Sequence, residues 1–272
     1  MQPAPHNIDD IKKRMRATWS AGDFGQIARF TEKSAEEFVD RLNLSSGARV
    51  LDVACGTGNL AIPAARKGAQ VTGADIAANL LAQARERAAA EKLNAVFEEG
   101  DAEQLPYPNA HFDVVMTMFG AMFGPRPDVV AAELASVCKA GGRIAMANWT
   151  AQGFIAEQFA LGNRYAPAPP GIPAPVQWGD EQVVRQRLGS YVSDIQTTPR
   201  TVQFDFPAPP RDVVQLFRTY FGPTQVAFAR LDPDAQSAYT RDLEQLWSKH
   251  NEASGNRTVV RAQYLEVLAT RA

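Results

Sequence analysis

The sequence predicts an α/β fold: a doubly wound, mostly parallel sheet with helices on both faces. Three observations carry that expectation. Short apolar runs alternate with helical segments between Arg49 and Trp149, the pattern of buried strands joined by helical crossovers. Gly56 and Gly58 stand where the first of these runs gives way to a helix, and glycine there lets backbone take unusual φ and approach a ligand without a Cβ. The chain has 272 residues, 45% hydrophobic and 21% charged. At about 150 residues per domain that is one large domain or one domain with an elaborate cap, and it is too apolar for wholesale disorder.

The elements follow in order. Ile8–Trp19 and Gln26–Leu42 read as two helices joined by Ser20–Gly25, an N-terminal helical lid over residues 1–45. The core, residues 46–150, has strands at Ala48–Ala54, Ala69–Asp75, Ala95–Asp101, Phe112–Met118 and Gly142–Trp149. Helices at Asn59–Lys67, Ala77–Lys92 and Asp128–Lys139 connect them. The second carries Leu80, Leu81, Ala84 and Ala88 on one face, and the third stops before Gly141-Gly142. Such short crossovers are right-handed and leave a ligand crevice at the C-terminal strand ends.

Residues 151–272 read as cap plus the final strands. Nine of the 18 prolines fall between Asn163 and Pro210, and Ala166–Trp178 (APAPPGIPAPVQW) is neither regular helix nor central strand. The interleaved Tyr165, Ile172, Val176 and Trp178 predict an ordered loop. Helices return at Asp180–Leu188, at Arg211–Phe221, and from the cap Asp232 and Pro233 to Asn251. Two late strands, Tyr191–Phe206 interrupted at Pro199 and Arg257–Leu268, bring the sheet to seven. Val202, Phe204 and Phe206 alternate there with Gln203 and Asp205.

Composition excludes several function classes. Lys+Arg number 28 against 30 Asp+Glu, a net charge of −2, where a nucleic-acid partner calls for a basic face. The N-terminus has no apolar signal region, and Val114–Phe123 is about half of what a membrane-spanning helix needs. Cys55 and Cys138 form no disulfide framework, so a reduced, cytoplasmic protein without membrane attachment is expected. His6, His111 and His250 are scattered, which supports neither a metal triad nor a Ser-His-Asp arrangement. Cys55 has no neighbouring histidine and reads as a small loop residue rather than a nucleophile.

Function concentrates in Val50–Ala61, VLDVACGTGNLA. Gly56-Thr-Gly58-Asn-Leu-Ala61 satisfies a dinucleotide fingerprint, which keeps an NAD(P)-binding oxidoreductase as an alternative. Asp52, four residues before the first glycine, counts against it, because a carboxylate is a poor neighbour for a pyrophosphate. The same group suits a ligand carrying an ammonium and a sulfonium. Asp101, at the end of the third strand, has no evident job in a dinucleotide site.

Four segments together, LDVACGTG (Leu51–Gly58), GADIAANLL (Gly73–Leu81), EGDAEQLPYPNAHFDVV (Glu99–Val115) and CKAGGRIAMANW (Cys138–Trp149), give the chain its resemblance. It resembles the class I S-adenosylmethionine-dependent methyltransferases, in particular the ubiquinone/menaquinone biosynthesis (type 11) group. The resemblance implies a Rossmann-like sheet and S-adenosylmethionine as cofactor, released as S-adenosylhomocysteine. It implies that Asp52, Ala54, Gly56 and Gly58 hold the methionine end, although relatives often have glycine where Ala54 stands. Asp75 would accept both ribose hydroxyls, with helix capping as its plainer role. Ile76 would pack on the adenine, Asp101 accept from its amino group, Ala102 meet the ring through backbone, and Met118 face the methyl-donor side, with Trp19 joining from the lid.

The implied activity is methyl transfer to the O, N, S or C atom of a small-molecule acceptor by in-line displacement. A non-catalytic relative that keeps the cofactor is a further alternative. No catalytic residue is legible, because an activated donor mainly needs positioning. The acceptor pocket is expected from Phe119, Phe123, Trp149, Tyr165, Trp178 and Arg218, with Asp23, Phe24, Asn148 and Tyr220 around them.

Overall fold

The computed structural model describes residues 7–272, so His6 lies outside the described residues. The chain opens with α1 (Ile8–Ser20), whose cap Asn7 accepts from the Asp9 N–H at 3.1 Å, followed by α2 (Gly25–Ala28) and α3 (Glu32–Arg41). The sheet block is β1 (Arg49–Val53), α4 (Ala61–Arg66), β2 (Gln70–Asp75), α5 (Ala78–Ala90), β3 (Ala95–Glu99), β4 (Phe112–Met118), α6 (Pro127–Val137) and β5 (Cys138–Trp149). Then come α7 (Phe154–Tyr165), α8 (Glu181–Leu188), β6 (Val192–Phe206), α9 (Pro210–Tyr220), α10 (Gly222–Ala229), α11 (Pro233–His250) and β7 (Thr258–Arg271).

The seven strands form one sheet in the order β3-β2-β1-β4-β5-β7-β6. β1 through β5 pair parallel, and β7 runs antiparallel between β5 and β6. This is the doubly wound, mostly parallel, seven-stranded sheet that the sequence predicts. The order reverses between β1 and β4, which places the ligand crevice outside their C-terminal ends. Val50–Val53 of β1 are buried without alternation, as a central parallel strand covered on both faces must be. Leu80, Leu81, Ala84 and Ala88 of α5 are the buried stripe that periodicity predicts.

Four local expectations change. The helix over Gln26–Leu42 is broken by a 3-10 turn at Arg29–Thr31, where the Thr31 hydroxyl donates to the Ala28 carbonyl at 2.8 Å and competes with helical pairing. α6 stops at Val137 rather than Lys139, because the carbonyls of Ser136 and Val137 turn to the Ala110 and His111 N–H groups. β6 passes through Pro199 unbroken: it is the sheet's edge strand, where a missing N–H is tolerated. Two helices, α7 and α10, lie outside the expected set. The Pro-rich stretch is ordered and ends in a 3-10 turn, Pro175–Gly179, with Trp178 1% exposed.

Candidate functional site

A cavity of about 520 Å³ lies at the C-terminal ends of β1, β2, β4 and β5, with α1, α7, α9 and α11 contributing to its wall. β1 carries Asp52, which is buried and whose Oδ2 accepts from the Ala61 N–H at 3.0 Å, at the start of α4. Burial pushes this carboxyl well above the usual carboxylate range; the Ala61 bond opposes the shift and the nearby Asp75 adds to it. β2 ends in Asp75, whose Oδ2 accepts from Gly56 N–H at 2.8 Å and Oδ1 from Ala77 N–H at 2.9 Å. Burial raises this carboxyl too, against those backbone donors. Asp75 therefore stitches the loop to the start of α5, and each oxygen keeps a second lone pair.

The loop after β1 is an open cradle. Gly56 sits at φ +54°, and a Cβ there would meet nothing within 4 Å. Ala54 holds φ +56°, a position relatives often give to glycine. Gly120, after β4, lies so close that a Cβ on it would stand 2.6 Å from the Ala54 Cβ. Beside it Phe119 takes φ +60°, which costs about 1–2 kcal/mol for a bulky residue. Stacking on Trp149 (3.5 Å between centroids, 7° between planes) and an edge contact to Tyr264 hold it there.

The third strand-end carboxylate is already paired. Asp101 lies 2.7 Å from the Lys12 ammonium on α1, which also reaches the buried Glu103 at 2.8 Å. Burial alone would lower the Lys12 ammonium; bonds and charge from the two carboxylates outweigh it and raise it. Glu103 in turn binds the Arg126 guanidinium at 2.8 Å. Lys12 fastens α1 across the end of β3, a role that nothing near it in sequence marks.

Beyond the strand ends the cavity becomes aromatic. Trp19 meets Phe24 at 5.8 Å, Phe123 at 5.1 Å and Phe221 at 5.9 Å, and Phe123 meets Phe159 at 5.9 Å. A Cβ on Gly22 or Gly222 would strike the Tyr220 or Thr18 carbonyl, so α1 and α10 meet backbone to backbone and bring Trp19 to Phe221. Gln158 of α7, 8% exposed, also lines the cavity, and its Oε1 is buried without a partner.

The structure thus gathers Trp19, Asp52, Ala54, Gly56, Asp75, Ile76, Asp101, Ala102 and Met118 with Phe24, Phe119, Phe123 and Trp149 around one cavity. Four expected site residues fall outside its lining and are corrected. Gly58, at φ +84°, closes the turn: a Cβ on it would meet Ile62 and Phe97, not the cavity. Tyr165 donates to Asp242 at 2.8 Å and stacks on Tyr239. Trp178 is buried beneath the Arg187 guanidinium, 4.6 Å from its ring centre. Arg218 lies over Phe228 and donates to Gln236 at 3.0 Å. Asp23, Asn148 and Tyr220 are also absent from the wall, whereas Gln158, Phe159, Phe217, Phe221 and Trp247 belong to it without having been expected.

Comparison with known proteins adds an independent line. The family described as "Methyltransferase domain" matches residues 50–142, the stretch that carries the cradle and the three carboxylates. An uncharacterized protein of Mycobacterium tuberculosis is 37% identical over 231 residues, 84% of each chain. Methyltransferase GfsG of Streptomyces halstedii is 38% identical over 132 residues, 47% of this chain and 48% of that one. Among solved structures, YcgJ from Bacillus subtilis shares the fold: its TM-score is 0.60 at 14% identity, over 88% of this chain and 98% of that chain. Sheet order, cradle and family match agree, and the chain belongs to the class I S-adenosylmethionine-dependent methyltransferases.

Proposed function

We propose that the protein transfers a methyl group from S-adenosylmethionine to a small organic acceptor enclosed in the aromatic part of the cavity. One observation carries this reading: a single cavity runs from carboxylate-bearing strand ends to a chamber of rings. The residues present fit the cofactor. The open side of Gly56 leaves room for a ligand against backbone, and Asp52 and Asp75 are buried carboxyls able to take hydrogen-bond donors and positive charge. Asp52, Ala54 and Gly56 would hold the methionine end and Asp75 the ribose hydroxyls. Ile76 and Ala102 would flank the adenine, Asp101 would accept from its amino group, and Met118 and Trp19 would border the reacting centre. When bound, the cofactor supplies a methyl already activated on a sulfonium. What the chain adds is alignment of two reactants and exclusion of water by α1 and the cap.

Calorimetry with S-adenosylhomocysteine and with NADH tests the reading. Binding of the first and silence of the second is expected; binding of NADH alone overturns the proposal. Release of S-adenosylhomocysteine from a panel of amines, phenols, thiols and carboxylates then separates an enzyme from a relative that only binds the cofactor.

A further inference from the structure

We infer that Lys12, on the helix over the cavity, helps to read the base of the cofactor: its ammonium donates to adenine N7 while Asp101 beside it accepts from the adenine amino group. This rests on the methyltransferase reading above and adds a specificity-determining residue to the same site. Lys12 lines the cavity together with Gly100, Asp101 and Ala102, the residues just past β3. Its side chain is 22% exposed, and its ammonium lies 2.7 Å from Asp101 Oδ2 and 2.8 Å from Glu103 Oε2. An ammonium carries three donors. Among the described residues these two carboxylates are its ion-pair partners, which leaves one donor on a side chain that borders the cavity.

The charges around that donor define what it can hold. Arg126 Nε also lies 2.8 Å from Glu103 Oε2, so Lys12 and Arg126 together balance Asp101 and Glu103. The four charges cancel, and the cluster offers a ligand direction rather than net charge. Burial works against the Lys12 ammonium, but bonds and charge from Asp101 and Glu103 outweigh it, so the group stays protonated and acts only as a donor. Asp101 is the acceptor next to it. Its Oδ1 takes the Glu103 N–H at 2.9 Å, and each of its oxygens keeps a lone pair for a further donor.

Adenine presents the complement of that pair along one edge, an N6 amino donor beside the N7 acceptor. A side-chain amide of Asn or Gln reads this edge with one acceptor and one donor set side by side. Here two elements supply the same pattern, Asp101 after β3 and Lys12 on α1, with their oxygen and nitrogen 2.7 Å apart. The backbone of Ala102, expected to meet the ring, is left to the N1 side. Lys12 and Trp19 stand seven residues apart on α1, about 10 Å along its axis. One helix therefore carries the base-reading group at one end and, at the other, the ring that meets Phe123 and Phe221.

The full chain would be titrated calorimetrically with S-adenosylhomocysteine and with its 7-deaza and 1-deaza analogues, in which C–H replaces ring N7 or N1. The unaltered protein should bind the 7-deaza analogue about tenfold more weakly than S-adenosylhomocysteine, the loss of one hydrogen bond to a charged donor. Lys12→Met should bind these two ligands equally, however much a loosened α1 weakens both, while its 1-deaza penalty stays that of the unaltered protein. A purely structural Lys12 would lower all three affinities by one common factor and leave the 7-deaza ratio in place. Equal binding of S-adenosylhomocysteine and the 7-deaza analogue by the unaltered protein overturns the inference alone, and needs no variant to fold. A 7-deaza penalty that survives in Lys12→Met, or a 1-deaza penalty lost there in its place, does the same. A chain that binds none of the three ligands overturns the methyltransferase reading and this with it.

Discussion

Asp75 holds two backbone N–H groups and, on the proposed assignment, the ribose hydroxyls as well. Asp75→Ala should weaken S-adenosylhomocysteine about ten- to a hundredfold and remove about 1–3 kcal/mol of stability, measured by calorimetry and urea unfolding. A loss of stability with unchanged affinity would leave it a loop stitch and helix cap only. Asp52 gives a pH signature. Its carboxyl is raised by burial, then by Asp75 against the Ala61 bond, while a ligand ammonium favours the ionised form. Cofactor binding below the raised value should therefore release a proton, visible as a dependence of binding heat on the buffer's ionisation enthalpy; no dependence would remove the Asp52–ammonium contact. The sign for the unliganded fold is opposite. Carboxyls raised on folding favour the native state at low pH, and that contribution is lost as pH rises through their folded values. At this scale the strand-end part of the cavity wall was legible in the sequence because its residues sit in contiguous strand-end motifs. Gln158 was not, since the residues that share the cavity wall with it, Phe123, Phe217 and Trp247 among them, come from separate elements. Tyr165 and Trp178 misled because aromaticity does not tell which side of a cap a ring faces.

Among the elements, α1 is the one whose position depends on charge. Lys12 joins it to Asp101 and Glu103, and Arg16 lies 3.4 Å from Glu99 at an exposed rim. Lys12→Met should loosen α1 over the cavity and speed S-adenosylhomocysteine release about tenfold, read by stopped-flow and by faster amide exchange across Ile8–Ser20. Unchanged release and exchange would show that ring contacts at Trp19 suffice. The strands were legible because parallel strands buried on both faces read as apolar runs. Helix α7 was not: Gly153, at φ +78°, precedes it and no side chain caps it. α10 starts at Gly222-Pro223 directly behind α9, where no polar cap announces a new helix.

For the whole molecule, one buried charge cluster fastens α3 to the last strand. Glu266 on β7 is 2% exposed and accepts from Arg41 at 2.6 and 2.9 Å and lies 2.8 Å from Arg200. Arg41→Met leaves that carboxylate with Arg200 as its remaining partner and should cost about 2 kcal/mol in urea unfolding, below the 3–5 kcal/mol of a fully orphaned buried charge. Full retention of stability would mean that Arg200 alone satisfies Glu266. Pro199 has a consequence of a different kind. It sits midway along β6, the fifteen-residue rim of the sheet, and denies that rim an N–H at its centre. Asp194, Arg200 and Asp205 add charge along the same strand, and the opposite rim, β3, is only five residues long. Neither border gives a second chain a long, uninterrupted ladder to extend, so the sheet can stay open at both sides without seeding fibrils.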